Sequence, residues 1–154
     1  MKLSRKELLE LVELDALCFE PPINYTLGDV YSYTKSPAAI LFRKYERGVL
    51  IACCIGNSSD GNIVTLDVHP DYRRRGLGRK LLDRMLEEFR MKNVPMAISQ
   101  VAIDNIGSLK LHRGVGFQIR SILYDYYPDG SAAYELFLPL GRIKRGGKKK
   151  PGLS

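Results

Sequence analysis

The sequence predicts one domain of the α/β (α+β) class: a mixed sheet with helices on its faces, in the order ααβββαβαββ. Three observations carry this. Strand signals with two-residue alternation or short apolar runs are interleaved with segments of helical period. The unit from Asn62 to Ile103 reads strand, helix, strand, which calls for a parallel crossover. The last two strand signals flank Pro128–Asp129–Gly130, a turn sequence. A length of 154 residues suits one domain, and a hydrophobic share of 45% supports a core.

Each element has a local cause. Ser4 to Phe19 reads as a helix: Ser4 and Glu7 form a capping box, and Leu8, Leu11, Val12, Ala16 and Phe19 line one face. Pro21 and Pro22 stop it in a loop. Thr26 and Asp29 cap a short second helix through Tyr33. Ala38 to Tyr45 and Gly48 to Ile55 are strand signals, joined to the next by the turn-rich segment Gly56 to Asn62. Asn62 to Val68 alternates, with Val64, Leu66 and Val68 on one side and Thr65 and Asp67 on the other. Gly76 to Lys92 is a strongly amphipathic helix with Leu77, Leu81, Leu82, Met85, Leu86 and Phe89 inward. Met96 to Ile103 reads as a strand, Asn105 to Arg113 as a short helix closed by Gly114. Phe117 to Tyr127 and Ala132 to Leu140 are the closing strands.

Composition narrows the class. No segment approaches the roughly 18 apolar residues of a membrane span. The N-terminus breaks its apolar residues with acids, unlike a signal peptide. The expected setting is cytoplasmic, without membrane association. Cys18, Cys53 and Cys54 lack metal or disulfide spacing and read as small core residues. Neither His69 nor His112 has ligand company, so no metal is expected. The net charge is +7, but Arg142, Lys144, Arg145, Lys148, Lys149 and Lys150 carry six of these charges. Residues 1–140 therefore form the domain, and 141–154 read as a disordered basic tail able to touch RNA or an acidic partner.

The stretch from Val68 to Leu82, VHPDYRRRGLGRKLL, crowds cations at a helix N-terminus, which is already partly positive. An anion would offset them. Gly76 and Gly78 permit positive φ and close approach of a ligand, and the first N–H groups of the helix form an anion cradle. Arg73, Arg74, Arg75 and Arg79 surround it. A tight strand-to-helix turn is the plainer use of the same glycines.

Arg73, Gly76 and Gly78 match R/Q-x-x-G-x-G/A, and here the chain resembles the GNAT-type N-acetyltransferases. The segment Asp104 to Phe117 is similar to that family's N-x-x-A-x-x-L-Y-x-x-x-G-F, and YYPDG followed by AAYEL resembles the closing hairpin of its amino-terminal acetyltransferases. Those include the ribosomal-protein-alanine type and archaeal relatives. The resemblance covers about Leu14 to Leu140. It implies a GNAT fold of about seven strands and four helices, and acetyl-CoA as cofactor. The implied cofactor-binding residues are Leu66, Asp67, Val68, Arg73, Arg74, Arg75, Gly76, Leu77, Gly78, Arg79, Asn105, Ser108 and His112. Within that set Arg73 holds the motif position, Arg75 and Arg79 can reach phosphate, and Arg74 can equally face water.

The resemblance further implies transfer of acetyl to a primary amine by direct attack in a ternary complex. The Val68 N–H is then the oxyanion donor. Asn105, Ser108 and His112 share a helix face spanning about 10 Å. The family usually has Tyr at the His112 position, as acid for the departing thiolate, and histidine can supply a proton near neutrality. Where close relatives carry a base there is Gln100, which cannot act as one, and their following Arg is Ala102. Asp67, Tyr126 and Tyr127 remain as relay members, although Asp67 equally suits a polar sheet face. Tyr25, Tyr126 and Tyr127 resemble the walls of a peptide groove.

An α-amine with pKa about 7.7–8.0 needs less help than a lysine at about 10.4, so the missing base points to a protein or peptide amino terminus, including a ribosomal one. A lysine side chain, a polyamine or a small-molecule amine stays open. So does a coenzyme- or RNA-associated module whose catalytic groups have drifted.

Overall fold

The computed structural model describes residues 1–141, so the tail expected to contact RNA or an acidic partner lies, from residue 142 on, outside the described residues. Helix α1 (Arg5–Cys18) starts at the expected capping box: Ser4 Oγ accepts from the Glu7 N–H at 3.1 Å, and Glu7 Oε2 accepts from the Ser4 N–H at 2.7 Å. Helix α2 (Leu27–Lys35) repeats the device with Thr26 and Asp29. Strands β1 (Ala39–Glu46), β2 (Val49–Asn57) and β3 (Asn62–Val68) form an antiparallel meander. Helix α3 (Leu77–Met91) crosses to β4 (Met96–Ala102), which lies parallel to β3. Helix α4 (Ile106–Val115), β5 (Gln118–Leu123) and β6 (Ala133–Pro139) complete the domain.

The sheet has six strands in the order β1-β2-β3-β4-β6-β5, one fewer than the family resemblance implies. Helix α4 runs one residue past Gly114, to Val115, and Gly116, with φ 117°, takes the left-handed cap. Strand β5 stops at Leu123, well short of Tyr127. No helix among the described residues is long and apolar enough to cross a membrane.

Two apolar layers sandwich the first half of the sheet. On one face Leu82, Met85, Leu86 and Phe89 of α3 pack on Ala52, Cys54, Ala97, Val101 and Leu136. On the other, Leu11 and Leu14 of α1 and Val30 of α2 pack on Leu50 and Cys53. The adjacent cysteines are thus free thiols buried on opposite faces of β2.

That two-sided cover overturns one expectation for β3. Thr65 and Asp67 are not on a polar face; they are its more buried side, with Asp67 only 1% exposed. Asp67 lies beneath α1 and hydrogen-bonds to Asp15, itself buried. Asp67 Oδ1 accepts from Thr65 Oγ1 at 2.7 Å, and Asp15 Oδ2 accepts from the Tyr25 N–H at 2.6 Å. Two carboxylates in contact cannot both ionise in a dry site. Desolvation raises both carboxyls, Asp67 the more, and the bond between them leaves the proton on Asp67. Asp15 Oδ1 is buried with no hydrogen-bond partner assigned among the described residues, which leaves it open to that proton. The pair fastens α1 and the loop holding Tyr25 to β3.

The folded protein holds this proton more tightly than the unfolded chain does. The pair therefore stabilises fully below the ordinary carboxyl value of 3.8, and this stability is lost as pH rises toward the raised folded value. Asp67→Asn keeps a donor for Asp15 and an acceptor for Thr65 without a titrating proton. Its Tm should decline less than the parent's from about pH 5 to pH 9. Thr65→Val, which removes the hydroxyl donor, should cost about 1–3 kcal/mol. Thermal melts across that range check both, and parallel pH profiles for the parent and Asp67→Asn would rule out the shared proton.

Candidate active site

The site begins where two strands part. Strands β3 and β4 pair only at Asn62↔Ile98 and Ile63↔Ser99, although each is seven residues long. Beyond Ile63 the edges of β3 and β4 diverge and leave backbone groups facing a gap. The antiparallel ladder with β2 says which ones. The His69 N–H donates to the Ile51 carbonyl at 2.7 Å, so the backbone of residue 69 faces β2. By alternation the backbone of Val68, paired with Ala52, faces away from β2, and so does that of Leu66, paired with Cys54. The N–H and carbonyl groups of Leu66 and Val68 therefore point toward β4. Side chains satisfy carbonyls along this edge: Val68 O accepts from Arg73 Nε at 3.0 Å and Cys18 Sγ at 3.4 Å, and Val64 O accepts from the Tyr25 hydroxyl at 2.9 Å. The Leu66 and Val68 N–H groups remain the donors on the open edge.

A cavity of about 900 Å³ runs from the gap to the start of α3. Gly76 caps that helix in the left-handed region, φ 77°, with no side-chain cap and no acidic residue in the first turn. Among the described residues nothing accepts from the N–H groups of Leu77, Gly78 or Arg79. Gly78 sits against α4: a Cβ there would lie 3.2 Å from Leu111 Cδ2. Leu66, Val68, Arg73, Arg74, Gly76, Leu77, Gly78 and Arg79 all line this cavity, as do Asn105 and Ser108 from α4. Arg79 also pairs with Asp83 at 3.2 Å. Three members of the expected set are elsewhere: Arg75, Asp67 and His112. Arg75 stacks over the Tyr72 ring, 5.0 Å from its centroid, and does not reach the wall. The Asp67 side chain lines neither cavity, being held by Asp15 and Thr65, and so drops out of the expected proton relay.

A second cavity, about 420 Å³, opens on the other side of the gap. Tyr25, Tyr126 and Tyr127 line it together, with Tyr33, Ser99, Gln100 and His112. Tyr126 and Tyr127 meet edge to face at 4.9 Å. Desolvation pushes the Tyr127 phenol up to about 12, so it is neutral at physiological pH. The Tyr25 hydroxyl, donating to Val64, is a structural strut. Gln100 turns toward β6 and donates to Glu135 Oε1 at 3.3 Å. The two cavities share Leu66, Ala102, Asn105 and Ser108, so they meet at the gap.

Asn105 Oδ1 accepts from the Ser108 N–H at 3.2 Å and caps α4, which leaves its amide NH₂ toward the cavities. His112 does not join Asn105 and Ser108 on the larger cavity, as the shared helix face implies: it is 2% exposed, and it lines the smaller cavity only. Its Nδ1 lies 2.8 Å from the Ser108 carbonyl and its Nε2 lies 3.0 Å from Ser99 Oγ. Desolvation lowers its pKa, so the ring is neutral at pH 7. Asp15, Cys18 and Ser99 are site-supporting residues that the sequence alone does not reveal. Their partners lie 52, 50 and 13 positions along the chain, and no local pattern links them. Among the described residues no cluster could hold a metal ion.

Comparison with known proteins agrees with this geometry. The chain is 32% identical over 69 residues to the [Ribosomal protein bS18]-alanine N-acetyltransferase of Escherichia coli (strain K12), covering 45% of this chain and 47% of that one. It is 31% identical over 81 residues to an N-alpha-acetyltransferase of Sulfurisphaera tokodaii, covering 52% and 48%. The match thus spans about half the length of these curated relatives. The crystal structure of the ribosomal-protein-S18-alanine N-acetyltransferase from Escherichia coli superposes with a TM-score of 0.79 over 97% of both chains, at 22% identity, a likeness of fold. The acetyltransferase (GNAT) family model matches residues 8–117, which include β3, the glycine turn, α3, β4 and α4, and the chain belongs to that family.

Proposed function

We propose that this chain is an acetyl-CoA-dependent N-acetyltransferase that acts on the α-amino group of a protein or peptide. The observation that carries the reading is the meeting of two cavities at the β3/β4 gap, one basic with free helix N–H donors, the other lined by tyrosines. The larger cavity fits coenzyme A chemically. The unpaired N–H groups of Leu77, Gly78 and Arg79 form an anion cradle at a helix N-terminus, and Arg73, Arg74 and Arg79 add positive charge. A small residue at position 78 keeps that backbone open, since α4 packs 3.2 Å from where a Cβ would be and a longer side chain would crowd the turn. The Leu66 and Val68 N–H groups and Asn105 would hold the arm that reaches the gap.

When bound, acetyl-CoA supplies the thioester whose acetyl group is transferred to the amine. Val68 presents its N–H where oxyanion charge develops, and the protein backbone needs no reorganisation to do so. Tyr25, Tyr126 and Tyr127 orient the acceptor and exclude water. No carboxylate of the smaller cavity's wall stands where Gln100 is, which favours an amine that is partly neutral at pH 7. An α-amine meets that condition and a lysine does not. The two curated relatives act, by name, on a ribosomal-protein alanine and on N-alpha groups, which supports the same acceptor class.

Calorimetric titration tests the cradle. Gly78→Asp should weaken coenzyme A binding by at least about tenfold, or 1.4 kcal/mol, with the fold intact by thermal melt. Arg75→Ala, off the cavity wall, should leave binding within about twofold. Equal affinities for the parent and Gly78→Asp would contradict the assignment. A labelled acetyl-CoA assay tests the acceptor. Free-amine peptides should be acetylated and N-blocked lysine peptides should not. The reverse pattern points to a lysine acetyltransferase, turnover of free amino acids or polyamines alone to a small-molecule enzyme, and binding without any turnover to a drifted module.

A further inference from the structure

We propose that Ser99, backed by His112, takes the proton from the acceptor amine, supplying in this chain the base that Gln100 cannot be; the inference rests on the acetyltransferase reading above. Ser99 pairs with Ile63 at the last rung before β3 and β4 part, so its side chain stands at the root of the gap. It lines the smaller cavity beside His112, and both are more than nine-tenths buried.

The hydrogen bonds fix the direction of proton flow. A backbone carbonyl can only accept, so the 2.8 Å contact from Nδ1 to the Ser108 carbonyl places the ring proton on Nδ1. Nε2 is then a bare acceptor, and the Ser99 hydroxyl, 3.0 Å away, donates to it. The Ser99 oxygen keeps its lone pairs for an N–H of the amine. As the C–N bond forms and the thioester C–S bond breaks, the sulfur leaves as thiolate with the pair of that bond; the amine N–H bond breaks and an O–H bond forms at Ser99. The original Ser99 proton moves to Nε2. The amine nitrogen loses its positive charge and the imidazole gains it. The resulting imidazolium needs two acceptors and has both, Ser99 Oγ and the Ser108 carbonyl. After the product leaves, the proton returns through Ser99 to solvent.

The neutral starting state follows from the surroundings. Burial holds the His112 pKa below its ordinary value, against the opposing Ser108 carbonyl. Phe117, edge-on at 5.1 Å, is uncharged. The titratable groups sharing the cavity are Asp15, Asp29, Tyr25, Tyr33, Tyr126 and Tyr127, and none of them hydrogen-bonds to the ring. The Ser108 hydroxyl, 3.3 Å from Nδ1, is its only other polar neighbour among the described residues.

Two readouts on the full chain test this. Nitrogen-15 NMR of the His112 ring, in the protein without substrate, should show a neutral Nδ1–H tautomer at pH 7.5, with the Nε2 resonance shifting in Ser99→Ala. For a free-amine peptide, Ser99→Ala should lower kcat/KM at pH 7 on the order of a hundredfold, the usual size of base catalysis. That loss should shrink as pH rises past the amine's own pKa, with the KM for acetyl-CoA unchanged. Ser99→Thr, which keeps a hydroxyl, should recover most of the rate. An Nε2–H tautomer, a loss equal at every pH, or no loss at all overturns the relay and leaves the acetyltransferase reading standing. Absence of turnover on every amine overturns both.

Discussion

The early parting of β3 from β4 is the constraint on which the rest of this structure depends. A parallel pair of seven-residue strands would ordinarily bury its edge groups in a ladder. Here the ladder stops after two rungs. Unpaired backbone groups in a protein interior are costly, so something must satisfy them. Tyr25, Cys18 and Arg73 cap the carbonyls at Val64 and Val68. The N–H groups of Leu66 and Val68 stay on the open edge. The fold is built to keep that gap open: α1 and its following loop are fastened by the Asp15–Asp67 pair on one side, and α3 and α4 pack on the other.

The same logic explains the cations at the start of α3. An uncapped helix N-terminus without an acid beside it is an unfavourable place for four arginines. The structure separates their jobs. Arg73 is tied to the Val68 carbonyl, Arg79 is balanced by Asp83, and Arg75 lies on Tyr72. Arg74 occupies a left-handed backbone position, φ 62°, on the cavity wall. Three of the four therefore line the cavity, and two of those three, Arg73 and Arg79, are also held by a neighbouring group.

Local rules made much of this legible from sequence. Both capping boxes, the amphipathic α3, and the strand–glycine–helix unit each depend on residues within one turn or one alternation, and each stands in the structure as the pattern implies. The end of α4 was harder, because Gly114 and Gly116 offer two stops and only backbone conformation chooses between them. The misplaced residues share a different cause. Asp67 looks polar and therefore exposed until its partner Asp15, brought in by α1, is known. His112 looks solvent-facing until Ser99 meets it across the β4–α4 packing. Contacts between distant segments have no periodicity to betray them. The catalytic end of the site was therefore less readable than the coenzyme end, which is built mainly from contiguous backbone.

On the proposed reading, backbone amides at the gap and at the start of α3 bind coenzyme A. Amide proton–nitrogen spectra recorded during titration with coenzyme A test it directly. The largest shifts should fall on Leu66, Val68, Leu77, Gly78 and Arg79, with Asn105 and Ser108 following. Large shifts confined to other parts of the chain, with these amides unmoved, would contradict it.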